Sequence, residues 1–306
     1  MSDPGALPMA ATGKGRRYGT LRRLLLAAAF LLLIVNPLLN FYFGITFIQG
    51  WYQSLGIGEL RLVSPLEGLE SLLLSHQVHV PALIGMAIPL LLAALLGRVF
   101  CSWICPISFL AGMLAALKRR LLKRTVLRDR LILAKQLLWF ALIGELLLSL
   151  ILGAPFFVFL SPPGLVGREL MMAVFFHSLA WEGVVVIVVL SLELMTQRFY
   201  CRYFCPLGAL LALVGSARKL VVERTADNCT RCGRCDRTCP MGLKPSAGES
   251  LLPYCWNCGA CIDSCDHDAL RFQWRGRGLG NEATHDITPP PSAARGDAEG
   301  RRCRDC

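Results

Sequence analysis

A polytopic α-helical membrane protein, with four spans in two parallel repeats and a small cysteine-rich α+β domain at its C-terminal end, follows from three features of the 306-residue sequence. Only 17% of residues are charged against 54% hydrophobic, and a mean hydropathy of +0.51 is too high for an ordinary soluble domain. The chain also matches itself at a shift of one hundred residues, from Cys101 to Cys201. Its 14 cysteines gather in tight groups instead of scattering as in a secreted disulfide scaffold. The same composition excludes disorder over most of the length.

A helix that crosses the hydrocarbon needs about 20 mostly apolar residues, and the sequence predicts spans at 24–45, 80–97, 136–155 and 181–200. The last contains Glu182 and Glu193, but 184–192 is continuously apolar. Lys14, Arg16, Arg17, Arg22 and Arg23 precede the first span, and nine basic residues lie between Arg98 and Lys135. The two other loops, 46–79 and 156–182, hold one each, Arg61 and Arg168. This asymmetry predicts cytoplasmic N- and C-termini. It also accounts for the net charge of +11 without nucleic acid, because the positive charge borders the spans and forms no separate basic face. The Arg16-Arg17 pair reads as part of a retained anchor, since the apolar run after it is long and lacks a small-residue cleavage site.

Within the repeat, Phe100-Cys101-Ser102-Trp103-Ile104-Cys105-Pro106 aligns with Tyr200-Cys201-Arg202-Tyr203-Phe204-Cys205-Pro206, and Arg98 falls on Arg198. Val63-Ser64-Pro65 echoes Leu160-Ser161-Pro162 in the outer loops. Two units that both begin inside are expected to pack about a pseudo-two-fold axis along the membrane normal, with the two Cys-x3-Cys-Pro motifs facing each other at the cytoplasmic edge. Pro106 and Pro206 can each open a helix at its first position. Segments 106–117 and 206–217 are too short to span and are expected along the interface. The expected organisation is an N-terminal arm (1–20), a first repeat (21–125), a second repeat (126–226), a ferredoxin-like domain (227–272) and a disordered tail (273–306) that holds Cys303 and Cys306.

The ferredoxin reading rests on Cys229-x2-Cys232-x2-Cys235-x3-Cys239-Pro240 followed by Cys255-x2-Cys258-x2-Cys261-x3-Cys265. Three closely spaced thiolates bind three corners of a cubane and the fourth cysteine reaches the other cluster. Cys229, Cys232, Cys235 and Cys265 are therefore expected to hold one [4Fe-4S] cluster, and Cys255, Cys258, Cys261 and Cys239 the second. Asp266 stands where a proline is usual in the second run, which touches the turn and not the ligand set. Zinc shares the Cys-x2-Cys spacing but not the full eight-cysteine series. The absence of Cys-x2-Cys-His leaves no site for c-type haem on this chain. Cys101, Cys105, Cys201 and Cys205 admit three readings: a shared metal or cluster, two redox dithiols, or packing in a turn.

With its paired motifs, Arg98-x2-Cys101-Ser102-Trp103-x-Cys105-Pro106 and Cys201-x3-Cys205-Pro206-x-Gly208-Ala209, and with both cluster runs, the chain resembles the NapH/MauN family of membrane ferredoxin-type proteins over residues 20–272. The resemblance implies a bacterial inner-membrane, multi-pass protein acting as the electron-transfer subunit of a quinol dehydrogenase. It implies electrons passing from the membrane quinol pool towards a periplasmic reductase of the nitrate reductase type, through an iron–sulfur partner protein or a multihaem cytochrome. Quinol oxidation releases protons, and Glu145 in the third span and His177 near the outer end of the fourth are candidate acceptors, with His76 and His79 also near the outer edge. The alternative is a maturation or redox-maintenance factor that uses the Cys-x3-Cys-Pro dithiols on a client metalloenzyme.

Overall fold

The computed structural model describes residues 17–43, 49–51, 54–57, 60–75, 80–123, 129, 131–154, 161–177, 183–226 and 228–275. His76, His79, Cys303, Cys306 and nearly all of the expected disordered tail lie outside the described residues.

Helix α1 (Arg17–Phe43) is rich in Leu and Ala after its basic first turns and contains one proline, Pro37. Its segment Tyr18–Phe43 is, among the described residues, the one helix long and apolar enough to cross a membrane on length and composition. The other expected spans contain shorter helices: α3 (Val80–Leu96, 17 residues), α6 (Leu137–Leu152, 16 residues) and α8 (Gly183–Leu192, 10 residues). Glycines in the left-handed region, Gly97 and Gly153, follow the ends of α3 and α6. The end of α8 at Leu192 leaves Glu193 outside the helix, where its Oε2 accepts from the Arg198 backbone N–H at 2.6 Å.

Between these stand α2 (Pro65–Ser75), α4 (Val99–Trp103), α5 (Pro106–Leu122), α7 (Pro162–Phe175), α9 (Phe199–Tyr203) and α10 (Pro206–Val214). The Ser-Pro pairs of the outer loops start α2 and α7, and the Cys-Pro pairs start α5 and α10. Contacts recur when α1–α5 are exchanged for α6–α10: α1 packs on α5 as α6 does on α10, α1 on α7 as α6 on α2, and α2 on α10 as α7 on α5.

One expectation is corrected. Segment 206–217 does not lie along a surface, because Pro206 through Ala212 are all buried where α10 packs on α6, α3 and α2. Segment 106–117 begins with buried Pro106, Ile107 and Ser108 but leaves Met113 and Leu117 exposed. An α10 that is apolar all round has no polar face to offer to lipid headgroups, so it goes to the middle of the bundle. Loop 46–79 carries a three-stranded antiparallel sheet, β1 (Gln49–Trp51), β2 (Ser54–Ile57) and β3 (Leu60–Val63), which hydropathy alone does not disclose.

The cysteine-rich module is closed by antiparallel strands β4 (Leu220–Arg224) and β5 (Leu270–Trp274), with Val222 opposite Phe272. Its sheet thus starts before residue 227 and ends beyond 272. The module contains the short helices α11 (Arg234–Thr238) and α12 (Ala260–Asp263). It is tied to the helices by polar bonds at both ends. The Asp263 carboxylate accepts from the Gly19 and Tyr18 backbone N–H groups at 2.6 and 3.3 Å, capping α1. Asn257 Nδ2 donates to the Leu96 and Leu220 carbonyls, at 2.7 and 2.8 Å. The described residues up to Trp274 form one compact unit.

Candidate metal centres

Cys229, Cys232, Cys235 and Cys265 line one hollow of the module, and Cys239, Cys255, Cys258 and Cys261 line a second. The backbone is shaped alike in both runs. Arg231 and Gly233 in the first, and Asn257 and Gly259 in the second, hold positive φ at matching positions, one before and one after the middle cysteine. Such alternation turns successive N–H groups inward to form a concavity suited to anionic sulfur. At Gly259 the requirement is double, since φ is +73° and a Cβ would stand 2.6 Å from Tyr18 Cβ. Asp266 forms an ion pair with Arg234, which fixes the turn after Cys265 without proline.

The donor set fits sulfur clusters. Burial, with Cys258 close by, pushes Cys239 up to about 12; burial and the adjacent Asp236 carboxylate push Cys235 up to about 12. Ligation must therefore displace protons from these thiols. Among the described residues no three His, Cys, Asp or Glu side chains converge tightly enough for a single metal ion. A tetrahedral zinc would draw sulfurs to about 3.8 Å of one another, whereas a cubane takes each thiolate on a different iron. The two hollows differ in depth, for Cys232 is exposed while Cys258 and Cys261 are buried.

Cys101, Cys105, Cys201 and Cys205 sit in two copies of one local structure. Cys101 lies on α4 and Cys201 on α9; Cys105 and Cys205 are the N-cap residues of α5 and α10. In each copy the second cysteine donates its N–H to the residue just before the first, Cys105 to Phe100 O at 3.1 Å and Cys205 to Tyr200 O at 3.0 Å. All four are 7–8% exposed and share one apolar cluster with Trp256, Met241 and Cys258. Burial pushes Cys105 and Cys205 up to about 12, and for both the next contribution comes from Cys101. Cys205 of the second motif therefore faces Cys101 of the first.

Residues that cysteine spacing does not reveal hold this region together. Arg98 Nη2 donates to Cys201 O at 3.3 Å, and Arg198 Nη1 to Ser108 O at 2.8 Å. The two guanidinium groups stand 5.8 and 5.7 Å from the ring of Trp256. Arg202 donates from Nε and Nη2 to Pro240 O at 3.0 and 2.7 Å, and pairs with Asp129 at 2.6 Å. Ser102 Oγ donates to Trp256 O at 3.0 Å, and Trp103 Nε1 to Asn257 O at 3.2 Å. The equivalence of Arg98 and Arg198 is visible in the sequence; their role is not.

Glu145 is half-buried on α6, and Glu70 of α2 faces it with no exposed surface, beside Glu67 and Ser149. His177 is instead exposed beyond the end of α7, edge-on to Phe41 at a ring separation of 6.4 Å. Burial, then the Glu145 carboxylate, pushes Glu70 up to about 7. This lies above its ordinary value, so the stability it contributes is complete below about pH 4.5 and is lost as pH rises through about 7. Thermal unfolding in detergent should accordingly show a midpoint that falls between about pH 4.5 and about pH 7 and levels off above that, and Glu70→Gln should flatten the fall. An equally steep decline in the variant would assign it to another group.

A family model described as a 4Fe-4S binding domain matches the chain twice, over residues 78–125 and 179–223. These segments carry the four cysteines at the starts of α5 and α10. The ferredoxin-type protein NapH of Escherichia coli is 30% identical over 275 residues, covering 86% of this chain and 91% of the relative. NapH of Haemophilus influenzae is 30% identical over 247 residues, 76% of this chain and 83% of the relative. The methylamine utilization ferredoxin-type protein MauN of Methylorubrum extorquens is 31% identical over 276 residues, 87% and 92% respectively. No solved structure matches the chain.

Proposed function

Because the chain belongs to the NapH/MauN family of ferredoxin-type proteins and is an iron–sulfur electron-transfer protein, we propose that it carries electrons from membrane quinol to partner redox proteins serving a periplasmic reductase of the nitrate reductase type. One [4Fe-4S] cluster is held by Cys229, Cys232, Cys235 and Cys265, and a second by Cys239, Cys255, Cys258 and Cys261. When bound, these groups accept and release single electrons. The observation that carries the reading is a gradation in thiol burial. Cys232 is exposed, whereas Cys258 is buried in the same apolar cluster as the four cysteines at the starts of α5 and α10.

The protein residues bind, insulate and orient. Trp256, Met241 and Leu243 wall the second hollow and keep water from its sulfurs. Quinol gives up protons and electrons in equal number, and Glu145 with Glu70, or His177 at the outer edge, supplies proton acceptors. Multi-pass insertion with both termini cytoplasmic is supported by the Lys and Arg distribution and by the outward Leu91, Phe140, Ile151 and Ile187 of α3, α6 and α8, an apolar surface suited to lipid. The maturation reading loses support from the burial of the four Cys-x3-Cys-Pro sulfurs, because a dithiol that reduces a client must meet it at an accessible surface.

The test is anaerobic purification of the full chain, addition of a reduced quinol analogue, and electron paramagnetic resonance of the iron–sulfur centres. Reduction on the time scale of mixing is expected. Clusters that stay oxidised with quinol but are reduced by dithionite would overturn quinol as the donor.

A further inference from the structure

Arg98 is 1% exposed, and among the described residues it has no carboxylate within ion-pair distance. Among the described residues its Nε and Nη1 have no hydrogen-bond partner. A Cβ on Gly208 would collide with Arg98 Nη2 and stand 3.4 Å from Cys205 Sγ, so the guanidinium lies beside that sulfur, and its charge also acts on Cys101. A buried guanidinium left in this state is costly unless an anion shares the site. Four neutral thiols cannot supply that anion, whereas four thiolates around an iron–sulfur core can.

The two motifs are also interlocked. Arg98, which leads the first, crosses to the second to reach Cys201 O and packs so closely on Gly208 that a Cβ there would collide with its Nη2. Arg198, which leads the second, crosses to the first and reaches Ser108 O, at the position equivalent to Gly208. Each arginine is thus seated in the opposite motif, and the four cysteines belong to one buried apolar cluster. The segments that carry them are those matched twice by the 4Fe-4S family model.

We propose that Cys101, Cys105, Cys201 and Cys205 together hold a third [4Fe-4S] cluster, shared between the two Cys-x3-Cys-Pro motifs, with Arg98 as its buried counter-charge. This deepens, and rests on, the iron–sulfur reading of the ferredoxin module. Trp256 follows Cys255 of the second cluster run, lies against both crossing arginines and shares an apolar cluster with the four cysteines, so the third site adjoins the second. Its use is to bring the electron path to the membrane edge; one electron enters as one leaves, and no atoms change hands.

The experiment is a count of iron and acid-labile sulfide per full-length chain, with Mössbauer spectra, on protein made and purified anaerobically. Wild type is expected to hold about 12 iron atoms, and Cys105→Ser and Cys205→Ser about 8 each. Both single variants should lose the same spectral component and keep the two components of the ferredoxin module, which then report that the variant has folded. A wild-type count of about 8 with intact module spectra overturns the third cluster and leaves the proposed function standing. A wild type without iron overturns both. Retention of all the iron in either variant, or zinc in place of a third of it, also overturns the shared site. Should a substitution prevent expression, the wild-type count decides alone.

Discussion

Cys258→Ser is expected to cut quinol-driven electron flow by on the order of 100-fold or more, while Cys232→Ser leaves quinol able to reduce the inner part of the chain. Removal of groups that merely support a metal ligand already costs about 10–100-fold in affinity or activity, and loss of the ligand itself should exceed that. Serine offers a hard oxygen where iron–sulfur ligation calls for a thiolate. Cys258 is 9% exposed, lines the second hollow, and belongs to the same apolar cluster as Cys101, Cys105, Cys201 and Cys205. No solvent-borne carrier can bypass it at that depth. Cys232 is exposed and lines the outer hollow, so its loss interrupts delivery to a partner but not entry from the membrane. Paramagnetic resonance after quinol addition should show no reduced centre near the helices in Cys258→Ser and a reduced one in Cys232→Ser. Turnover with a small artificial acceptor gives the same comparison as a rate. Equal behaviour of the two variants would sink the proposed order of the centres.

The cysteine runs are legible in the sequence because their spacing is a local pattern. The structure places the cysteines of 229–239 and 255–265 around two hollows. Pro106 and Pro206 are legible for a similar reason: a proline following Cys105 or Cys205 restricts its own φ and the preceding residue, so a helix starts there. Helix surroundings are another matter. An apolar stretch such as 206–214 has the same hydropathy whether it lies in a headgroup region or at the centre of a bundle, and only its packing on α6, α3 and α2 decides. Strands of three or four residues, like β1 to β3, are too short for an alternation pattern to stand out. Arg98 is hidden differently. In sequence it is one of many cations that border the apolar runs, and its insertion into the opposite motif depends on a contact across one hundred residues. Glu70 likewise reads as an outer-loop carboxylate until α2 packs against α6.

Trp256→Ala should be the most destabilising single change outside the ligands. The indole is 1% exposed and among the largest fully buried side chains of the chain. Truncating such a residue costs about 3–5 kcal/mol through lost transfer energy and the cavity left behind. Two guanidinium groups face the ring at 5.8 and 5.7 Å, and cation–π attraction at a desolvated site adds about 2 kcal/mol where the geometry is favourable. The combined loss is on the order of 5 kcal/mol, enough to lower the unfolding midpoint by roughly 10 °C. Cys255 and Asn257 flank the residue, so the second hollow should lose its shape as the ring is removed, and cluster loss should precede unfolding of the helices. Trp256→Phe separates packing from hydrogen bonding. Trp256 Nε1 has no hydrogen-bond partner, so phenylalanine gives up no polar contact and keeps an aromatic face for Arg98 and Arg198. Most of the stability should return in that variant. Heating curves followed in parallel by helical circular dichroism and by cluster absorbance provide the measurement. If alanine leaves both midpoints unchanged, the indole does not join the module to the two motifs; if phenylalanine is as damaging as alanine, the indole N–H has a role that its environment does not disclose.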